Sequence, residues 1–157
     1  MQVRTALERR QAYLDSVHSE AGRDPMTGLP SEAALPVRLG DLVGRALRYG
    51  HELGLALLEI ERFGEFPPER GKQVLANVAN SLVSGLRKSD VVTRYGVAGF
   101  GIMLPHTADA TDRVIERLAR RVQRERVGAR GPRSRSVALR SGIAVFPLDA
   151  LSAEALL

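Results

Sequence analysis

The 157-residue chain is 44% hydrophobic and 26% charged, room for one domain with a buried core and no apolar run near the roughly 18 to 20 residues of a membrane span. It has no cysteine, which excludes disulfides and thiolate metal sites, and no secretory leader opens it. The expected location is therefore the cytoplasm. The formal charge is +5, and Lys72 and Lys88 are the only lysines, so arginine supplies nearly all the positive charge. Arginine's planar fork suits phosphate and guanine edges, although a solvated arginine-rich surface accounts for the same composition. Aromatics are 4% and no nucleic-acid-binding motif occurs, so no nucleic-acid partner is expected.

Residues 1–21 have few helix breakers and an apolar ladder at Val3, Leu7, Leu14 and Val17. The spacing is heptad-like, with Arg10 interrupting it, and predicts an N-terminal signalling or dimerising helix closed by Gly22. Asp24-Pro25-Met26-Thr27-Gly28-Leu29-Pro30 reads as a turn in which Asp24 and Thr27 bond local amides. Ser31 then starts a helix to Tyr49, with Leu35, Leu39, Leu42, Val43, Ala46 and Leu47 as its buried stripe. The nearly continuous apolar run Leu53–Ile60 predicts a central strand covered on both faces. It delivers Glu59 and Glu61, weak candidates for a divalent cation because residues two apart on a strand share a face.

Gly64 to Gly71 reads as a loop around Pro67 and Pro68, followed by an amphipathic helix over Lys72–Leu86 with Val74, Leu75, Val78, Leu82, Val83 and Leu86 inward. Arg87-Lys88-Ser89-Asp90 leads into a hairpin: Val91–Tyr95, a tight Gly96-Val97-Ala98-Gly99 turn, then Phe100–Leu104. A third helix over Thr107 to about Val127 turns Val114, Ile115, Leu118 and Val122 inward and Arg113, Arg117, Arg120, Arg121 and Arg124 outward. A basic loop over Gly128–Ser136 and a strand over Val137–Phe146 follow, and Ala150–Leu157 begins a further helical pattern. This order predicts an α/β fold, with helices flanking a central, mostly antiparallel sheet.

In order and spacing these pieces resemble the GGDEF domain of bacterial diguanylate cyclases, which implies a palm-type, nucleotide-cyclase-like fold over residues 23–157 behind an N-terminal helix over 1–22. Asp24-x-Met26-Thr27-Gly28-Leu29 is similar to the family's D-x-L-T-G-L opening, and Glu59-Ile60-Glu61-Arg62-Phe63 to its metal strand. Arg94 to Phe100 stands where the family has R-Y-G-G-D-E-F, and Ser141-Gly142-Ile143-Ala144 resembles its closing strand. The departures matter most. Val97, Ala98 and Gly99 occupy the positions of the second glycine and the two acids between Gly96 and Phe100, and Glu59 replaces the first metal aspartate. Gly64 replaces a lysine, the guanine-reading segment around Pro67, Pro68 and Lys72 is shortened, and the family's last helix is missing.

Two-metal phosphoryl transfer needs several carboxylates, so the resemblance implies a domain without cyclase activity, metal or cofactor. It also implies a ligand site. Arg87-x-x-Asp90, five residues before the hairpin turn, matches the family's inhibitory site for cyclic di-GMP. There Arg87 would fork onto a guanine edge or phosphate, and Asp90 would accept from guanine N1 and N2. Arg117, Arg120 and Arg121 are candidates to complete it, from the same or a second copy of the chain, and a homodimer or a separate protein partner would carry the output. Taken alone, Arg87-x-x-Asp90 reads as a surface ion pair capping a helix end, and it is its position in the resembling fold that favours a ligand. The rival functions are a nucleotide-independent interaction module, a GTP sensor at Glu59 that activates a tethered phosphodiesterase, and a residual cyclase.

Overall fold

The computed structural model describes residues 8–9, 22–125, 136–147 and 149. In chain order the elements are α1 (Ala34–Tyr49), β1 (Leu53–Ile60), α2 (Pro68–Ser84), β2 (Val91–Tyr95), β3 (Gly99–Pro105), α3 (Thr111–Arg124) and β4 (Leu139–Phe146), with a 3-10 turn at Phe63–Glu65. The four strands pair antiparallel in the order β2-β3-β1-β4. The apolar run read as a central strand is β1, with the predicted ends, and it lies between β3 and β4.

The two-residue side-chain period of a strand divides β1 between two cores. Leu53 and Leu55 pack with Met103, Phe146 and the α1 stripe Leu35, Leu39, Val43 and Ala46. Ala56, Leu58 and Ile60 face the other way, against Val74, Val78 and Leu82 of α2 and Ile115, Leu118 and Val122 of α3. One helix thus covers one face and two cover the other. Each fully buried leucine contributes about 1.5–3 kcal/mol, which is what fixes the strand register.

Several boundaries differ from expectation. Ser31 lies in a turn whose carbonyl accepts from Ala34 N–H, and α1 begins three residues later with no side-chain cap. Leu47 is 64% exposed, because the stripe at 35, 39, 43 and 46 leaves no room for the adjacent position. α2 begins at Pro68, inside the expected loop. A proline at the first helical position has its φ preset and gives up an N–H that would have no partner there. Val83 is exposed, Val114 and Leu86 are half-buried, and α3 is shorter at both ends than expected.

The expected helix over 1–21 lies outside the described residues except Glu8 and Arg9, which are helical and exposed. Residues 126–135 of the basic loop and the pattern over 150–157 also lie outside them. Among the described residues no helix is long and apolar enough to cross a membrane.

Candidate functional site

β1 and the β2–β3 hairpin end together, and between them opens a cleft of about 670 Å³ lined by Leu57, Glu59, Phe63, Val97, Ala98 and Arg140, among others. Glu59 pairs with Gly99 on one side and Arg140 on the other. That register sets Arg140 Nη2 3.4 Å from Glu59 Oε2. Among the described residues Glu59 is the one carboxylate lining this cleft. Glu61 lies just beyond β1, which stops at Ile60, and is not among the residues lining the cleft.

The hairpin is closed where the resemblance would place acids. Gly96 turns at φ 61° and Val97 is 82% exposed at the tip. Ala98 is 6% exposed and belongs to the core under α2 and α3, and its carbonyl accepts from Ile60 N–H at 2.9 Å. At Gly99 a Cβ would lie 2.5 Å from Tyr95 O and 2.8 Å from Leu58 O, too close for any side chain without moving backbone. The divalent ions implied for a cyclase find no matching donor set. Val97, Ala98 and Gly99 offer no carboxylate, Glu59 is engaged by Arg140, and among the described residues no three His, Asp or Glu side chains are placed to hold an ion.

Arg94 organises this hairpin, a role its place in the motif does not announce. Its side chain is buried, and its guanidinium donates to Gly99 O, to Gly96 O at 3.2 Å and to Val97 O at 2.9 Å. Its Nε lies 3.6 Å from Asp24 Oδ2, while that same oxygen accepts from Thr27 N–H and Oγ1–H. Arg94 N–H also donates to Pro30 O at 2.9 Å. Burial lowers the Arg94 pKa from its ordinary value, opposed by the nearby Asp24 and Glu32 carboxylates. Asp24 lies seventy positions before Arg94, so no local pattern predicts the pair, although an arginine in the middle of an apolar hairpin is a signal that something must neutralise it.

Arg87 and Asp90 lie at the other end of β2, between α2 and the sheet. The Asp90 side chain is 3% exposed, and its Oδ2 accepts from Arg87 N–H at 2.9 Å, closing the turn after α2. The Arg87 side chain is 60% exposed, with Nη2 3.4 Å from Asp90 Oδ1, 3.2 Å from Pro105 O and 2.7 Å from Thr107 Oγ1. The arginine is accessible on its outer edge, and the aspartate faces inward. Of the α3 candidates, Arg117 donates to Gly85 O at 3.0 Å, two residues before Arg87. Arg120 and Arg121 instead pair along their own helix with Glu116 and Glu125. A groove of about 820 Å³ runs beside Arg113, Arg117, Arg120 and Arg124.

A family model described as the diguanylate cyclase GGDEF domain matches residues 21–157. The chain is 38% identical to the diguanylate cyclase DgcP of Pseudomonas aeruginosa over 112 residues, 68% of this chain and 17% of that protein. It is 27% identical to the diguanylate cyclase DosC of Escherichia coli over 142 residues, covering 87% of this chain and 31% of DosC. The chain therefore spans less than a third of these relatives. Its fold matches the crystal structure of the coiled coil and GGDEF domain of DgcB from Caulobacter crescentus in complex with c-di-GMP. That match has a TM-score of 0.78 and 22% identity, covering 99% of this chain and 84% of that one.

Proposed function

The chain belongs to the diguanylate cyclase GGDEF family, and we propose that it is a non-catalytic member that binds cyclic di-GMP through Arg87 and Asp90 and relays that state to a protein partner. The observation that carries the loss of catalysis is the closed hairpin. One acid position is an alanine methyl in the core and the other has no space for a Cβ. Transition-state charge in phosphoryl transfer is held by metal ions and their carboxylates, and Glu59, already paired with Arg140, offers one such group.

The receptor reading is supported by Arg87, whose guanidinium is held from behind by Pro105 O and Thr107 Oγ1 and open in front. A guanidinium preset in this way loses little rotamer freedom when it forks onto a phosphate or guanine edge. Asp90 is committed to the turn, so in this reading it fixes the arginine and turns outward to guanine only if the Arg87 N–H bond is exchanged. Arg117, seated two residues away at Gly85 O, is the α3 arginine best placed to join. The helix expected over 1–22 is the proposed route to the partner or to a second copy.

Isothermal titration with cyclic di-GMP, with GTP as comparison, tests this. Micromolar binding of cyclic di-GMP, lost in Arg87→Ala with the circular dichroism unchanged, is the expected result. Binding of GTP alone would favour the cleft at Glu59, a flat titration with both ligands would leave an interaction module, and cyclic di-GMP made from GTP and Mg²⁺ would overturn the non-catalytic reading.

A further inference from the structure

Two of the three histidines in the chain meet at the end of the sheet away from the hairpin cleft. His51 follows α1, its N–H donating to Ala46 O, and His106 follows β3, its N–H donating to Glu52 O, both at 2.9 Å. Because Leu53 pairs with Pro105, the rigid β1–β3 ladder itself delivers the two residues to one place. Their ring centroids are 3.9 Å apart with the planes tilted by 59°. With Tyr49, Glu52, Ser89 and Pro105 they line a cavity of about 260 Å³. Among the described residues neither imidazole has a hydrogen-bond or ion-pair partner. His106 is also held at φ 60°, a conformation that costs a non-glycine residue free energy and recurs where ligands are held.

We propose that His51 and His106 form a two-imidazole site for a borderline divalent transition metal such as Zn²⁺ or Ni²⁺. Unprotonated imidazole nitrogen is a ligand these ions favour. With metal–nitrogen bonds of about 2.0–2.1 Å, two imidazoles on one tetrahedral ion have centroids about 5 Å apart. The rings must separate by about 1 Å from this spacing, a small rotation for the exposed His106 side chain. No third His, Asp or Glu among the described residues joins them, so water or an external ligand completes the shell and the affinity is micromolar rather than that of a structural zinc site. The position has a consequence that rests on the proposed receptor function. His106 stands between Pro105 and Thr107, the two residues that hold Arg87 Nη2, so an ion there stiffens the cradle of the cyclic di-GMP site.

The test is calorimetric titration of the untagged full chain with ZnCl₂ and no nucleotide, with imidazole C–H resonances followed by NMR. His51→Gln and His106→Asn are the variants, asparagine because it tolerates the left-handed backbone, and His18→Gln is the control. One ion per chain, weakened more than about tenfold by either variant and unmoved by the control, is the expected result. Binding unchanged in both variants, or none below millimolar zinc, overturns the site. Cyclic di-GMP titrated with and without saturating zinc then reads the coupling: a changed affinity supports it, and equal affinities remove the coupling while leaving the metal site standing.

Discussion

Replacing Arg94 with methionine should destabilise the domain more than any surface charge substitution. The guanidinium satisfies three hairpin carbonyls and faces Asp24 from a buried position. Methionine fills much of the same channel and satisfies none of them. Hydrogen bonds to charged groups are worth about 1.5–3 kcal/mol each, but removing Arg94 also removes the cost of burying its charge. Breaking one side of a buried pair has a net effect of about 3–5 kcal/mol, and that is the expected loss. With a urea slope of about 2 kcal/mol per molar, the unfolding midpoint falls by about 2 M. Asp24→Asn should cost only about 1–2 kcal/mol, because the amide oxygen can still accept from Thr27. The double variant should then lose less than the sum, since the contact between the two is removed only once. A loss below about 1 kcal/mol for Arg94→Met, or strict additivity in the cycle, would refute the view that this arginine ties the opening turn to the hairpin.

Asp90→Ala should lower stability by about 1–2 kcal/mol in urea unfolding because it strands the Arg87 N–H at a turn, whereas Arg87→Ala, which removes a largely exposed group, should cost less than about 1 kcal/mol. Equal losses would mean the carboxylate does not cap the turn. Restoring acids with Ala98→Asp and Gly99→Glu should yield no cyclic di-GMP from GTP and Mg²⁺, read by chromatography, and should destabilise by more than about 2 kcal/mol. Recovered activity would contradict the closed hairpin. Leu58→Ala, under both α2 and α3, should cost about 2–5 kcal/mol by thermal or urea unfolding, and a loss under 1 kcal/mol would place the core elsewhere.

Much of the fold was legible because its signals are local. The run Leu53–Ile60 could only be buried on both faces, and two β-branched or apolar runs around a glycine-bounded turn could only be a hairpin. The boundaries that slipped did so where a local rule had two readings. Pro67-Pro68 marks a loop or a helix start, and only the packing of Val74 and Val78 on the sheet decides. Ser31 is a good cap by type, but the chain needs another turn before Ala34 and Leu35 reach the core. At the proposed ligand site the Arg87-x-x-Asp90 pattern is visible in the sequence, but not that Asp90 faces inward, since that depends on the turn it closes. Nor does the sequence show the Arg94–Asp24 contact or the His51–His106 pair, which join residues far apart in the chain and are set by sheet register.

The hairpin geometry bears on how firmly the proposed loss of catalysis would be fixed. Had the acids merely been exchanged for neutral residues on an open turn, a single reversion could rebuild a ligand. Here Gly99 lies against Leu58 O on the neighbouring strand, and Ala98 has become part of the core that α2 and α3 share. An acid at 99 would force β3 away from β1 at the Glu59–Gly99 pair itself, and an acid at 98 would bury a carboxylate with no partner, which costs several kcal/mol. Each position therefore resists an acid for its own reason, lack of space at 99 and burial at 98. None of this reaches Arg87, whose guanidinium is held by Pro105 O at the far end of β3 and by Thr107 Oγ1 just beyond it. The two ends share the sheet and little else, so the proposed ligand site at Arg87 does not depend on whether the hairpin end can hold acids.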